Sequence, residues 1–201
     1  TEGLINQCGN MCEVIDDHTR TLAFPLEGYE RFSLDGDEYE AFNTSGGLGT
    51  LCQTLEGKVR RLDYKSIRYP GHCNFIAFLM RDLRFKEDRT TLKHVLERGI
   101  TTTNQDKCII FSEVRGYCQD DFIQKTYAST VYNQMVGTEH LGAIQITTAA
   151  GICAPLDLLL QGKIKQRSGF VRLEDIPFMD FLGNEFGQYY RDDKALGGIC
   201  P

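Results

Sequence analysis

Two long runs of alternating polar and apolar residues place the strongest constraint on how this chain folds. Residues 107–117 and 122–136 are rich in Val, Ile, Thr and Tyr, which favour extended backbone. The polar residues 119–121 separate the two runs and allow the chain to reverse its direction there. The sequence therefore predicts a long antiparallel hairpin in the second half of the chain.

Short strand patterns and helical patterns make up the rest of the sequence. Alternation predicts strands at 12–15, 19–24, 29–34, 38–42 and 58–69. Apolar spacing predicts helices at 71–84, 88–98 and 177–186. Segment 139–161 is apolar on nearly all sides, so we expect a helix buried in the core or against another subunit. Together these elements predict one α+β domain over residues 1–201, with a mixed, largely antiparallel sheet covered by helices.

The composition is that of an acidic, globular protein. Of its 201 residues, 41% are hydrophobic, which excludes a disordered chain. The net charge of −6 argues against a nucleic-acid partner, because such a surface needs clustered Lys and Arg. No segment reaches the roughly 20 uninterrupted apolar residues of a membrane span, so we expect no membrane partner.

The first residue and the cysteines bear on location and metal binding. The chain begins at Thr1 without a secretory signal pattern, so we expect a cytoplasmic piece of a longer protein. Eight cysteines are spread over the chain without a CxxC pair. A zinc site that includes Cys8 and Cys12 is an alternative, but their spacing fits it poorly. We expect reduced thiols packed as small apolar groups, and no metal.

A glycine-rich loop, Gly46-Gly47-Leu48-Gly49, follows the fourth predicted strand. One interpretation is a tight turn between that strand and a short helix. Another is a site for an anion or a carboxylate at the start of the helix, and a third is a nucleotide-phosphate site. The loop has neither the G-x-G-x-x-G spacing nor the Lys of a Walker loop.

Segment 64–72 carries a second group of candidate residues. Arg68 alternates with Ile67 on the predicted strand, so its side chain points to the opposite face and can offer a bidentate fork to a carboxylate. His72 follows Pro70-Gly71 and can transfer a proton near neutral pH. The alternatives are a surface ion pair for Arg68 and a polar contact at the helix start for His72.

Two motifs in these segments resemble a known family. Residues 43–50 (NTSGGLGT) and 62–72 (LDYKSIRYPGH) are similar to motifs in the C-terminal catalytic and dimerisation portion of the saccharopine dehydrogenase-like enzymes. Segments 169–176 and 186–190, near the C-terminal end of the sequence, extend the resemblance over nearly the whole chain. The resemblance implies a fold similar to the C-terminal domain of glyceraldehyde-3-phosphate dehydrogenase, and a homodimer.

The resemblance also implies a cofactor. Members of the family bind NAD or NADP, mainly through an N-terminal Rossmann domain. The present chain contains no G-x-G-x-x-G motif, so we expect that domain to be absent from it. On this expectation the isolated chain neither binds the cofactor well nor turns over by itself.

Substrate contacts are implied by the same resemblance. In the fungal branch, the segment that matches Ser66, Ile67 and Arg68 contacts the substrate, and Arg68 suits one of its carboxylates. That branch has an Arg in the segment matching residues 43–45, where this chain has Thr44. The difference favours a smaller amino acid such as lysine, or a carboxylated polyamine.

The resemblance thus implies the substrate-binding and dimerisation domain of an NAD(P)-dependent oxidoreductase that acts on the CH–NH bond of an amino acid. The expected substrate-binding residues are Asn43, Thr44, Ser45, Ser66, Ile67 and Arg68, and the expected catalytic residue is His72. The alternatives are a non-catalytic interaction domain and a related carboxynorspermidine or lysine 6-dehydrogenase activity.

Overall fold

Antiparallel strands and helices make up both halves of the chain. The computed structural model describes residues 2–101, 103, 105–165 and 168–192. Every strand pair in these residues is antiparallel, which confirms the predicted α+β class. The sequence predicts one domain, whereas the chain divides into two compact units, residues 1–101 and 102–201. Each described sheet is built from strands of one unit only.

The first unit alternates short helices with short strands. In chain order its elements are α1 (Glu2–Gly9), β1 (Cys12–Asp16), β2 (Thr19–Ala23), β3 (Glu30–Leu34), β4 (Asp37–Asn43), α2 (Leu51–Leu55), β5 (Arg61–Leu62), β6 (Lys65–Arg68), α3 (His72–Ala77), a π-helical turn (Phe78–Asp82) and α4 (Arg89–Gly99). The strands form two three-stranded sheets, ordered β2-β1-β5 and β3-β4-β6.

The strand predicted at 58–69 is wrong as a single element. The chain passes from one sheet to the other at Asp63 and Tyr64, so that β5 pairs with β1 while β6 pairs with β4. Alternation within 58–69 continues across this change of sheet, which is why the sequence pattern does not reveal it. Helix α1 was not predicted. It is only eight residues long, and it buries Ile5 and Cys8.

The core of the first unit surrounds Phe42, which lies on the central strand β4 and is almost fully buried. Helices α1, α3 and α4 contribute most of the other buried members of this cluster, which are Ile5, Cys8, Cys73, Ile76, Leu92 and Leu96. Because Phe42 belongs to this cluster, the face of β4 and β6 that carries Phe42 and several candidate residues packs against the core.

The second unit is built on the predicted hairpin. Its elements are β7 (Lys107–Cys118), β8 (Asp121–Tyr132), β9 (Gln134–Val136), β10 (Glu139–Leu141), α5 (Ala143–Leu160), a 3₁₀ turn (Leu173–Asp175), α6 (Phe178–Gly183) and a second 3₁₀ turn (Gly187–Tyr190). Strands β7 and β8 pair along their whole length, from Lys107 opposite Tyr132 to Cys118 opposite Asp121, which confirms the hairpin.

Helix α5 begins four residues later than the sequence predicts. Residues 139–141 form β10 and pair with β9 instead. The carboxylate of Asp106 then accepts hydrogen bonds from the backbone N–H groups of Ala143 (2.7 Å) and Ile144 (3.1 Å) at the helix start. These N–H groups have no partner within the helix, so Asp106 fixes where α5 begins.

Only one side of α5 is buried. The buried residues include Ala143, Ile146, Ala150, Ala154 and Leu158, and the exposed apolar ones are Ile144, Ile152, Leu156 and Leu160. Within the described part of the chain, α5 is the one helix that is long and apolar enough to cross a membrane by length and composition. About a third of this span (33%) is buried within the protein.

We predict that Gly187→Ala destabilises the second unit. A Cβ atom at this buried position would lie 1.8 Å from the carbonyl oxygen of Phe181, and a backbone atom cannot rotate away. We expect the free energy of unfolding to fall by about 1–3 kcal/mol, measured by urea denaturation. Gly183→Ala is the matched control, because its Cβ would meet nothing within 4 Å. Equal stability of the two variants would contradict the prediction.

Candidate functional site

One face of the β4–β6 pair brings together residues from both candidate segments. In the antiparallel register, Ser66 lies opposite Phe42 and Arg68 lies opposite Glu40. Residues directly opposite one another on antiparallel strands point to the same face. Thr44, just beyond β4, places its hydroxyl 2.7 Å from that of Ser66, and both residues are buried. Thr44, Ser66 and Arg68 therefore share the face that carries Phe42.

Arg68 is the half-buried last residue of β6. Its Nη1 donates a hydrogen bond to the carbonyl oxygen of Ile67 at 2.8 Å. Within the described part of the chain, no carboxylate forms an ion pair with it. A guanidinium has five N–H donors, so most of its hydrogen-bonding capacity is available to a ligand.

His72 is the first residue of α3, and its ring stacks on Phe42. The ring centroids are 6.0 Å apart and the planes differ by 14°. The buried Nε2 atom has no hydrogen-bond partner among the residues that the structure describes. Burial and the charge of Arg68 lower the pKa of His72 below its ordinary value, against the opposing effect of Glu40. The ring is therefore neutral at pH 7 and able to accept a proton.

Glu40 also belongs to this site, but it is not among the residues predicted from the sequence. Its side chain is fully buried. One carboxylate oxygen, Oε2, accepts hydrogen bonds from the N–H of Gly71 (2.8 Å) and the hydroxyl of Tyr29 (3.2 Å). The other, Oε1, accepts from the N–H of Cys73 at 2.5 Å. Glu40 stands two residues before Phe42, so strand alternation alone could have placed it on the buried face.

Three of the predicted substrate-binding residues do not join this face. Asn43 and Ile67 lie on the opposite face of the sheet, according to the same register. The side-chain amide of Asn43 packs against Gly28, where an added Cβ would come within 2.9 Å of it. The hydroxyl of Ser45 donates to the backbone oxygen of Asn6 at 3.2 Å. The side chains of Asn43 and Ser45 therefore contact neighbouring segments at the end of β4.

The structure favours the tight-turn interpretation of the glycine-rich loop. A Cβ on Gly47 would lie 2.0 Å from the ring of Tyr64, so that ring occupies the space beside the loop. The helix that follows, α2, is only five residues long. Gly47 is therefore required for the close approach of Tyr64.

The thiols of the first unit are buried, and burial raises the pKa of each of them. Cys8, Cys12, Cys52 and Cys73 are free and buried. Burial raises the pKa of Cys8 to about 11, although Arg68 acts in the opposite direction. Among the described residues, no group of three His, Cys, Asp or Glu side chains is arranged to hold a metal ion.

The second unit has an open apolar groove of about 580 Å³ between the hairpin and α6. Its lining includes Val114, Ile123, Tyr127, Phe178 and Phe181. The groove contains none of the predicted site residues, which all lie in the first unit.

We predict that His72 makes the stability of the first unit depend on pH. Because the folded pKa lies below 6.5, the unfolded chain takes up this proton first as the pH falls. The contribution of neutral His72 is therefore complete above about pH 6.5 and is lost as the pH falls toward the folded pKa. Urea denaturation at several pH values should show a shallower pH dependence for His72→Gln than for the unmodified chain.

The exposed His94 on α4 provides the control for this measurement. His94→Gln should retain the pH dependence of the unmodified chain. If His72→Gln also retains it, the side chain does not titrate as described.

No protein-family model matches the chain. The grouping of Thr44, Ser66, Arg68 and His72 into one site therefore depends on the register of β4 and β6 and on the start of α3. The resemblance to the saccharopine dehydrogenase-like enzymes stays a prediction from the sequence motifs.

Proposed function

We propose that the chain is the substrate-binding and dimerisation domain of an NAD(P)-dependent, saccharopine dehydrogenase-like oxidoreductase. The reaction is a hydride transfer at the CH–NH bond of an amino acid, in lysine or saccharopine metabolism. The observation that carries the proposal is the half-buried guanidinium of Arg68, which has no carboxylate partner in the described residues and lies beside the half-buried His72.

Arg68 binds a carboxylate of the substrate in this proposal. An arginine fork forms two parallel hydrogen bonds with a carboxylate, and such bonds are strongest where water is partly excluded. The hydroxyls of Thr44 and Ser66 are 2.7 Å apart, so one donates a hydrogen bond to the other, and the accepting hydroxyl keeps its own O–H as a free donor. That donor adds a polar contact near the carboxylate.

His72 accepts or returns the proton of the substrate amine in this proposal. The lowered pKa keeps its ring neutral, as a base for an ammonium group must be. The Nε2 atom of His72 is buried and has no hydrogen-bond partner in the described structure. His72 directly follows the turn formed by residues 68–71. Substrate binding beside Arg68 brings the amine toward this ring.

Hydride chemistry would be supplied by NAD or NADP. The strand pairing in the described residues offers no parallel sheet for a dinucleotide site of that kind. All described strand pairs are antiparallel, whereas the dinucleotide-binding fold is built on parallel strands. We therefore assign no residue of the chain to the cofactor.

Homodimer formation and a cytoplasmic location are part of the same proposal. The exposed apolar side chains of α5, Ile144, Ile152, Leu156 and Leu160, support an association surface. The free thiols suit a reducing compartment. The second candidate, a non-catalytic interaction domain, is favoured by the same surface.

We predict that Arg68→Ala weakens binding of the amino-acid substrate. Isothermal titration of the chain with saccharopine, lysine and carboxynorspermidine identifies the preferred ligand. Loss of a charged hydrogen-bonded pair should raise its Kd roughly 10- to 100-fold. Arg61→Ala is the control, because Arg61 is exposed and pairs with Asp63. Unchanged affinity in Arg68→Ala would contradict the anchoring role, and no binding of any of the three ligands would overturn the proposed substrate class.

We predict that Ile152→Asp reduces self-association of the chain. The side chain is 71% exposed, at the centre of the apolar side of α5, and a carboxylate there cannot be buried against a second copy. Light scattering after size-exclusion chromatography measures the dimer fraction. Val95→Asp on α4 changes another exposed apolar residue and should leave it unchanged. A dimer that persists in Ile152→Asp would exclude α5 as the interface.

A further inference from the structure

The two backbone N–H groups that flank His72 both donate to one buried carboxylate. The N–H of Gly71 donates to Oε2 of Glu40 at 2.8 Å, and the N–H of Cys73 donates to Oε1 at 2.5 Å. The first N–H groups of a helix have no partner within it. Glu40 therefore fixes the backbone on each side of His72.

The same strand also fixes the imidazole ring. Phe42 lies two residues after Glu40 on β4, and its ring stacks on that of His72. Arg68 lies opposite Glu40 in the strand register. The short stretch of β4 around Glu40 therefore contacts the residues at both ends of the Arg68–His72 turn.

The burial of Glu40 has an energetic consequence. A carboxylate without water is stable only when its oxygens are hydrogen-bonded. The hydroxyl of Tyr29 provides a third donor at 3.2 Å. Since its oxygens are occupied by protein donors, Glu40 is not a group that binds substrate directly.

We infer that Glu40 is a positioning residue for the proposed site: by binding the N–H groups of Gly71 and Cys73, it holds His72 in place relative to Arg68. This inference rests on the proposed function for the role of His72. This role of Glu40 differs from helix capping alone. A cap would stabilise α3 but would not change the affinity of the site for its ligand.

The experiment compares Glu40→Gln with Glu38→Gln, an exposed position on the same strand. In Glu40→Gln, the amide group turns one acceptor into a donor that faces a backbone N–H, so one of the two bonds is lost. We expect the Kd of the ligand preferred by the unmodified chain to rise about tenfold, and the NMR resonances of the His72 ring to shift. Glu38→Gln should change neither. A folded Glu40→Gln protein with unchanged Kd and unchanged His72 resonances overturns the inference.

Tyr29→Phe removes the hydrogen bond from the Tyr29 hydroxyl to Glu40 and leaves the two hydrogen bonds from the backbone N–H groups. Both N–H bonds persist in this variant, so the His72 resonances should stay close to those of the unmodified chain. A shift as large as that in Glu40→Gln would show that the backbone bonds do not position the ring, and would overturn the inference.

If Glu40→Gln does not fold, amide hydrogen exchange in the unmodified chain tests the inference instead. The amides of Gly71 and Cys73 should exchange far more slowly than that of the exposed Gly36, and equal rates overturn the inference. If the unmodified chain binds none of the three ligands, the proposed function fails. The NMR and exchange measurements then still decide whether Glu40 positions His72.

Discussion

The buried carboxylate of Glu40 is the interaction on which the arrangement of the first unit depends. Removing a carboxylate from water costs several kcal/mol unless its oxygens are hydrogen-bonded. Here the donors come from Tyr29 ahead of β3 and from Gly71 and Cys73 around the start of α3. Segments distant in sequence are thus tied to the central strand, next to Phe42 in the core. A charge that is expensive to bury specifies the geometry because few other arrangements can satisfy it.

Pattern alone located the two segments of the site but not all of its members. Alternation placed β4 and the Ser66–Arg68 strand, and the two segments do meet through Thr44 and Ser66. The side of the sheet on which Asn43 and Ile67 lie depends on a register that is set by pairing between distant strands. Glu40 is not among the predicted residues, because an acidic residue in a strand pattern ordinarily faces water. Only its donors from the loop before β3 and the start of α3 allow it to be buried.

The second unit shows which of its helices and strands can be predicted from sequence patterns and which cannot. The hairpin was predictable because two long runs of β-favouring residues flank a polar turn, which is a local signal. The start of α5 could not be predicted in this way, because residues 139–141 pair with β9 instead of extending the helix. Asp106 then caps α5 from a position far from it in sequence. Helix boundaries of this kind are decided by tertiary partners rather than by apolar spacing.

The length of the hairpin has a consequence for the behaviour of the protein in concentrated solution. Most side chains of β7 and β8 from residue 111 to residue 126 are exposed, and in the described structure neither strand has a second neighbour. An open strand edge is a template for intermolecular sheet growth. The ion pair between Glu113 and Arg115 places charge on the outer half of this ribbon, which disfavours stacking of identical copies. Charged side chains on an open strand oppose pairing with another copy, so neutral residues in place of Glu113 and Arg115 would leave this ribbon more open to intermolecular pairing.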